Sequence, residues 1–189
     1  MLRAFEGHAA LVGTSFGGRA VLETALAAPD RVTHLVLVGA NVFGWGEDVQ
    51  RVQAQEEELF DAGRFGDAAD LMARSWLVGP ERNPDDVDPA LTERVREMVL
   101  RGYELQAGGE SSLLGVEIEP ARITAPTLVI RGALDWPDVA AAARRFVTEL
   151  PDAREAVVEG AHLPTMERPE EVARLILDFL GDREPKPVD

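Results

Sequence analysis

Short, uniformly apolar runs alternate along this chain with longer stretches in which apolar residues recur every three or four positions. The runs at 9–13, 33–39, 126–131 and 154–159 predict strands, and the periodic stretches at 17–28, 137–149 and 168–180 predict helices. Pro126-Thr127-Leu128-Val129-Ile130-Arg131 is apolar on both faces, as a strand buried within a parallel sheet must be. Between the second and third strands the period changes. Residues 49–62, 65–77 and 89–105 each carry an apolar stripe with charges opposite, so 44–118 reads as helical throughout. The pattern predicts an α/β fold with about four core strands, in which 1–43 and 119–180 form the core and 44–118 an inserted helical lid. The tail 181–189, with Pro185 and Pro187, is expected to be mobile.

The first strand empties into Gly13-Thr14-Ser15-Phe16-Gly17-Gly18, directly before the first core helix. A serine on a tight strand-to-helix turn, with glycine two places before and after it, has the form of a nucleophile elbow. The serine backbone is expected to be strained, and β-carbons at the flanking glycines to collide with neighbouring chain. The helix that follows brings free N–H groups and its positive dipole end beside the hydroxyl. A carboxylate and an imidazole follow in the order that this elbow predicts. The strand 126–131 runs into Gly132-Ala133-Leu134-Asp135, and the strand 154–159 into Gly160-Ala161-His162. Both groups lie past the carboxyl ends of strands, where open parallel sheets place ligands. Asp138, three residues beyond Asp135, is a second candidate, although Trp136-Pro137 makes it a first-turn residue of the next helix. His8 and His34 flank or begin strands and read as exposed or structural.

Together, the elbow, the Gly-x-x-Asp segment and Gly160-Ala161-His162-Leu163-Pro164-Thr165-Met166-Glu167-Arg168-Pro169 resemble the α/β-hydrolase superfamily. That resemblance spans nearly the whole chain, with 44–118 matched only in role, as a helical lid. It implies a three-layer, mostly parallel sheet, Ser15 as nucleophile, His162 as base and Asp135 as the acid that orients it. It also implies that the Phe16 backbone N–H donates to the oxyanion. Superfamily members carry several strands ahead of the elbow and draw a second oxyanion donor from a loop among them. Here 14 residues precede Ser15 and contain no such loop, so Met1 is read as an internal start or the chain as a piece that needs a partner. The first strand is then expected to stand at an open, uncharged sheet edge, a route to self-association. Phe43 at the edge of the core, and Trp45, Met72, Trp76 and Leu77 within the lid, are the candidates to line an apolar substrate pocket above Ser15.

Composition narrows the partners. A formal charge of -15 repels nucleic acid, no apolar stretch reaches the length of a membrane span, and zero cysteine excludes disulfides and thiolate metal sites. Asp85, Asp86 and Asp88 lack a full calcium-ligand pattern and read as a solvated turn, and Glu56-Glu57-Glu58 as a solvated helix face. Met1-Leu2-Arg3-Ala4-Phe5-Glu6 is too short and charged for a signal peptide, so a cytoplasmic location is expected. The reading is a cofactor-free serine hydrolase acting on an ester, thioester, lactone or activated C–C bond of a small, largely apolar molecule. An acyltransferase or perhydrolase on the same fold is one alternative. A catalytically impaired fragment or interaction module is the other.

Overall fold

The computed structural model describes residues 7–106 and 117–181. Four strands, β1 (Ala9–Thr14), β2 (Val32–Val38), β3 (Thr127–Gly132) and β4 (Ala153–Val158), form one sheet in the order β1-β2-β3-β4. Every pairing is parallel, with Leu11 opposite Leu35, Leu37 opposite Val129 and Val129 opposite Glu155. Parallel neighbours need crossover helices, and these supply the outer layers. Helix α1 (Phe16–Ala27) joins β1 to β2, α5 (Pro137–Glu149) joins β3 to β4, and α7 (Pro169–Gly181) follows the short α6 (Pro164–Glu167).

The alternation of side chains along β2 divides the core into two layers. Leu35 and Leu37 face α1 and α5, where they pack with Leu11, Leu22, Val129, Ala143 and Phe146. Val36 and Val38 face α7, where they pack with Leu128, Ile130, Val158, Val172 and Phe179. Burial on both faces explains why β2 and β3 read as unbroken apolar runs. β1 differs. Leu11 is covered, but Ala10 is exposed and Val12 on the opposite face remains 49% exposed, because α7 covers β2 to β4 and leaves β1 open. His34, buried on β2, sets its ring edge-on to Phe179 at 5.4 Å, a packing role.

Residues between β2 and β3 form α2 (Glu47–Asp61), α3 (Phe65–Met72), a π-helix (Ala73–Val78) and α4 (Pro89–Gln106). The sequence pattern predicts one helix over 65–77. Instead the α-helix ends at Met72 and the coil widens to i→i+5 pairing, a change that leaves the apolar periodicity nearly unaltered and so has no signature in it. The 168–180 helix likewise proves to be preceded by α6, with Pro169 opening α7. The mobile tail expected at 181–189 lies outside the described residues beyond Gly181, as does 107–116 of the segment read as a lid. Among the described residues, no helix is long and apolar enough to cross a membrane.

Glu56 corrects the expectation of a wholly solvated acidic face. It is half-buried and accepts a short hydrogen bond from the Tyr103 hydroxyl, which ties α2 to α4. Around that bond Phe60, Phe65 and Tyr103 form an aromatic cluster, with ring centroids 5.2 to 6.3 Å apart. Asp86 and Asp88 stay exposed and accept backbone N–H groups of Asn83 and Ala90.

Burial, reinforced by the hydrogen bond to Glu56 and its charge, pushes the Tyr103 phenol far above its ordinary range. Since the folded-state value is raised, the unfolded chain loses this proton first. The resulting stabilisation is complete below about pH 10 and is lost as pH climbs beyond it. Tyr103 is the one tyrosine in the sequence, so absorbance at 295 nm reads it alone. Tyrosinate is expected to appear only together with unfolding, and Tyr103→Phe to lower stability by about 1.5 kcal/mol in urea titrations at neutral pH. A free-phenol titration in the folded protein would contradict both.

Candidate active site

All four strands run the same way, so the loops leaving β1, β3 and β4 emerge on one rim. Ser15 stands between β1 and α1 with φ 49° and ψ -119°, the one non-glycine residue at positive φ among those described. Its backbone N–H is held by the Val38 carbonyl at 2.8 Å, which anchors the strained turn to the end of β2. Strain of this kind costs on the order of 1–3 kcal/mol and persists only when surrounding structure imposes it.

The flanking glycines are not equivalent. A β-carbon on Gly13 would lie 2.5 Å from the Gly17 carbonyl oxygen, and one on Gly18 would lie 2.5 Å from the β-carbon of Ala40. Gly17 has open space around it, so the expected collision at that position is not found. The close approach is between strand and helix at Gly13 and between helix and the β2 loop at Gly18.

His162 and Asp135 arrive from the β4 and β3 loops and are 3% and 6% exposed. His162 Nε2 lies 2.8 Å from Ser15 Oγ. Its Nδ1 lies 2.9 Å from Asp135 Oδ2 and 3.1 Å from Oδ1. An ionised carboxylate only accepts, so Nδ1 carries the hydrogen and Nε2 is left as the acceptor of the Ser15 hydroxyl hydrogen bond. Asp135 Oδ1 also accepts the Trp136 N–H at 2.7 Å, which fixes the carboxylate plane. Asp138 points elsewhere: it accepts the Gly46 N–H at 3.0 Å ahead of α2. His8 is exposed on the approach to β1.

Phe16 opens α1, so its N–H belongs to the first turn, where no intrahelical acceptor exists. The residue as a whole is 68% exposed. A cavity of about 210 Å³ borders Ser15 and His162 and is walled by Met72, Trp76, Val95, Val99 and Leu163. Of the five residues expected to line a substrate pocket, Met72 and Trp76 border this cavity. Phe43 instead packs on Phe146 at 4.8 Å beneath the Arg145 guanidinium, because the chain leaving β2 folds onto α5. Leu77 is fully buried with Ala73, Val78 and Val95 on the inner side of the π-helix. Trp45 abuts Trp76 from behind at 5.7 Å. Val95 and Val99, one turn apart on α4, were visible in the apolar stripe, but nothing in the sequence distinguished cavity wall from core. Trp76 comes closest to the site's chemistry. Its ring lies 4.4 Å from the His162 imidazole, and its carbonyl accepts the His162 backbone N–H at 3.1 Å.

The family model for the alpha/beta hydrolase fold matches residues 6–169, and the chain belongs to that family. Its fold is similar to a thermophilic esterase from Thermogutta terrifontis (24% identity, TM-score 0.72), covering 93% of this chain and 65% of that one. It is similar also to a hydrolase from Pseudomonas aeruginosa PA01 (28% identity, TM-score 0.72), covering 92% of this chain and 65% of that one. A third, the carboxylesterase CesB from Bacillus subtilis, is 22% identical with TM-score 0.69 and coverages of 94% and 61%. The chain thus spans just under two thirds of the length of these structures. No curated protein matches its sequence.

Gly13→Ala is expected to destabilise by about 1–3 kcal/mol, since the new methyl meets backbone rather than a flexible side chain. Gly17→Ala should change stability by less than about 0.5 kcal/mol. Urea midpoints for the two variants check the distinction, and equal losses would contradict it.

Proposed function

We propose that Ser15, His162 and Asp135 act as nucleophile, base and orienting acid of a serine hydrolase. The observation that carries this reading is the unbroken chain from Ser15 Oγ to His162 Nε2 at 2.8 Å and from His162 Nδ1 to Asp135 at 2.9 Å. Ser15 Oγ attacks the substrate carbonyl carbon while its proton passes to Nε2, and the tetrahedral oxyanion forms beside the α1 N-terminus, where the Phe16 N–H donates to it. Collapse of the intermediate expels the leaving group, which takes the proton from His162. Water then attacks the acyl carbon while giving a proton to Nε2, and collapse of this second intermediate breaks the bond to Ser15 Oγ, which takes that proton back as the acid leaves. Asp135 keeps the imidazole in the required tautomer and stabilises it when charged.

The cavity supports a small, largely apolar substrate. Its walls beyond the Ser15–His162 pair are hydrocarbon, thioether and indole, and none of them bears a charge. At about 210 Å³ it exceeds the roughly 150 Å³ of a cavity that holds benzene, so a short acyl chain or a single ring fits. Segment 44–118 serves in this reading as the lid that supplies Met72, Trp76, Val95 and Val99 and keeps water from the acyl group. Esters, thioesters, lactones and activated C–C bonds share the required electrophilic carbonyl. Acyl transfer or perhydrolysis would differ only in the acceptor that replaces water.

A fluorophosphonate probe is expected to label the folded protein stoichiometrically and to leave Ser15→Ala unlabelled, as read by intact mass. Asp135→Asn is expected to lower the labelling rate by about 10³–10⁴-fold through loss of the correct tautomer. Absence of label on folded wild type would overturn the nucleophile assignment and favour a non-catalytic interaction module.

A further inference from the structure

Beyond the three residues just assigned, an ion pair spans from the lid segment to the histidine loop. Arg82 and Glu167 are 85 positions apart in sequence, yet Arg82 Nη1 donates to Glu167 Oε2 at 2.6 Å, with side chains only 15% and 8% exposed. Each end of the pair is tied to a different part of the active site. Arg82 Nε donates to the Val78 carbonyl at 2.9 Å, and Nη2 makes a short bond to the Leu77 carbonyl. These are the terminal carbonyls of the π-helix that carries Trp76, groups left without helical donors, and a cation there also meets the negative end of the dipole. At the other end, Glu167 Oε1 accepts the Ala161 N–H at 2.7 Å, one residue before His162.

From this connection we infer that Arg82 and Glu167 are positioning residues for His162, an inference that rests on the catalytic reading above. The π-helix touches His162 twice, through the Trp76 ring 4.4 Å from the imidazole and through the Trp76 carbonyl, which accepts the His162 backbone N–H at 3.1 Å. The Arg82 fork fixes where that helix ends, and Glu167 fixes the backbone that presents His162. One guanidinium–carboxylate contact therefore sets the spacing between the imidazole and the indole that backs it. The seam it closes is tight. At Gly79, with φ 79°, a β-carbon would lie 3.0 Å from both the Ala161 β-carbon and the Leu134 carbonyl oxygen. Trp136, next to Asp135, ties in the third loop through its indole N–H to the Ser75 carbonyl at 2.9 Å. A lysine at position 82 would keep the charge but lose the planar fork that serves two carbonyls and a carboxylate together.

Breaking the pair from one side leaves a buried charge, which destabilises by itself. The test therefore separates stability from positioning. Arg82→Met, Arg82→Lys, Glu167→Gln and Arg82→Met/Glu167→Gln are compared with wild type for urea midpoint, fluorophosphonate labelling rate, and kcat and KM with p-nitrophenyl butyrate. Glu167→Gln keeps an oxygen for the Ala161 N–H, and the double variant carries no unpaired charge. Arg82→Met is expected to lower the labelling rate and kcat by on the order of 10- to 100-fold, with KM within about threefold, because misplacement by about an ångström costs that much. In the double variant the urea midpoint should recover while labelling stays slow. Arg82→Lys should recover only part of the rate. If Arg82→Met labels at the wild-type rate, or if the double variant regains rate and stability together, the positioning role is overturned. Should Arg82→Met fail to fold, the double variant decides alone. An unlabelled wild type would strike at the nucleophile assignment itself, and it is seen before any variant is compared.

Discussion

A serine backbone held at φ 49° is the constraint on which the rest of this molecule turns. The conformation is unfavourable for a residue with a β-carbon, and it stays in place because chain on every side leaves no alternative. β1 is hydrogen-bonded to β2 up to Thr14, the Ser15 N–H is held by Val38, and α1 begins at the next residue. Gly13 and Gly18 let strand, helix and the β2 loop approach closely enough to maintain that grip. The two apolar layers around β2 and β3 thus do more than hold the domain together. They supply the rigidity against which a strained turn can be kept.

Much of this was legible in the sequence because parallel sheets enforce a simple grammar. Apolar runs without alternation mark buried strands, and chain leaving such a strand must surface on the rim. Ser15, Asp135 and His162 each follow one of these runs, and their meeting is a consequence of strand direction rather than of anything local to them. The distinction between Asp135 and Asp138 was less accessible. It depends on which carboxylate turns toward the β4 loop and which toward α2, a matter of helix geometry at Pro137. The elbow glycines show the same limit at finer scale, since Gly13, Gly17 and Gly18 look alike in sequence while only two of them face neighbouring atoms.

The segment between β2 and β3 was the least readable. Amphipathic periodicity located its helices, but a stripe of apolar residues does not say whether it faces a core or a cavity. Phe43 and Leu77 went to packing, Met72 and Trp76 to the cavity wall, and Val95 and Val99 joined them from α4. The π-helix at Ala73–Val78 was invisible because one extra residue per turn hardly disturbs an apolar stripe six residues long. Trp76, which meets His162 through both its ring and its carbonyl, nonetheless lies within it. Polar pairs across long separations, such as Tyr103 with Glu56, carry no local mark and emerge only once the helices are packed.

The tension stored at Ser15 has an evolutionary corollary. Glycine would occupy that backbone geometry without penalty, so the sequence lies one substitution away from a relaxed and sturdier version of itself that has no hydroxyl. Drift toward greater stability at this position would erase the side chain on which the chemistry proposed here depends. A serine at this position sets durability against usefulness, and the elbow is where the two meet.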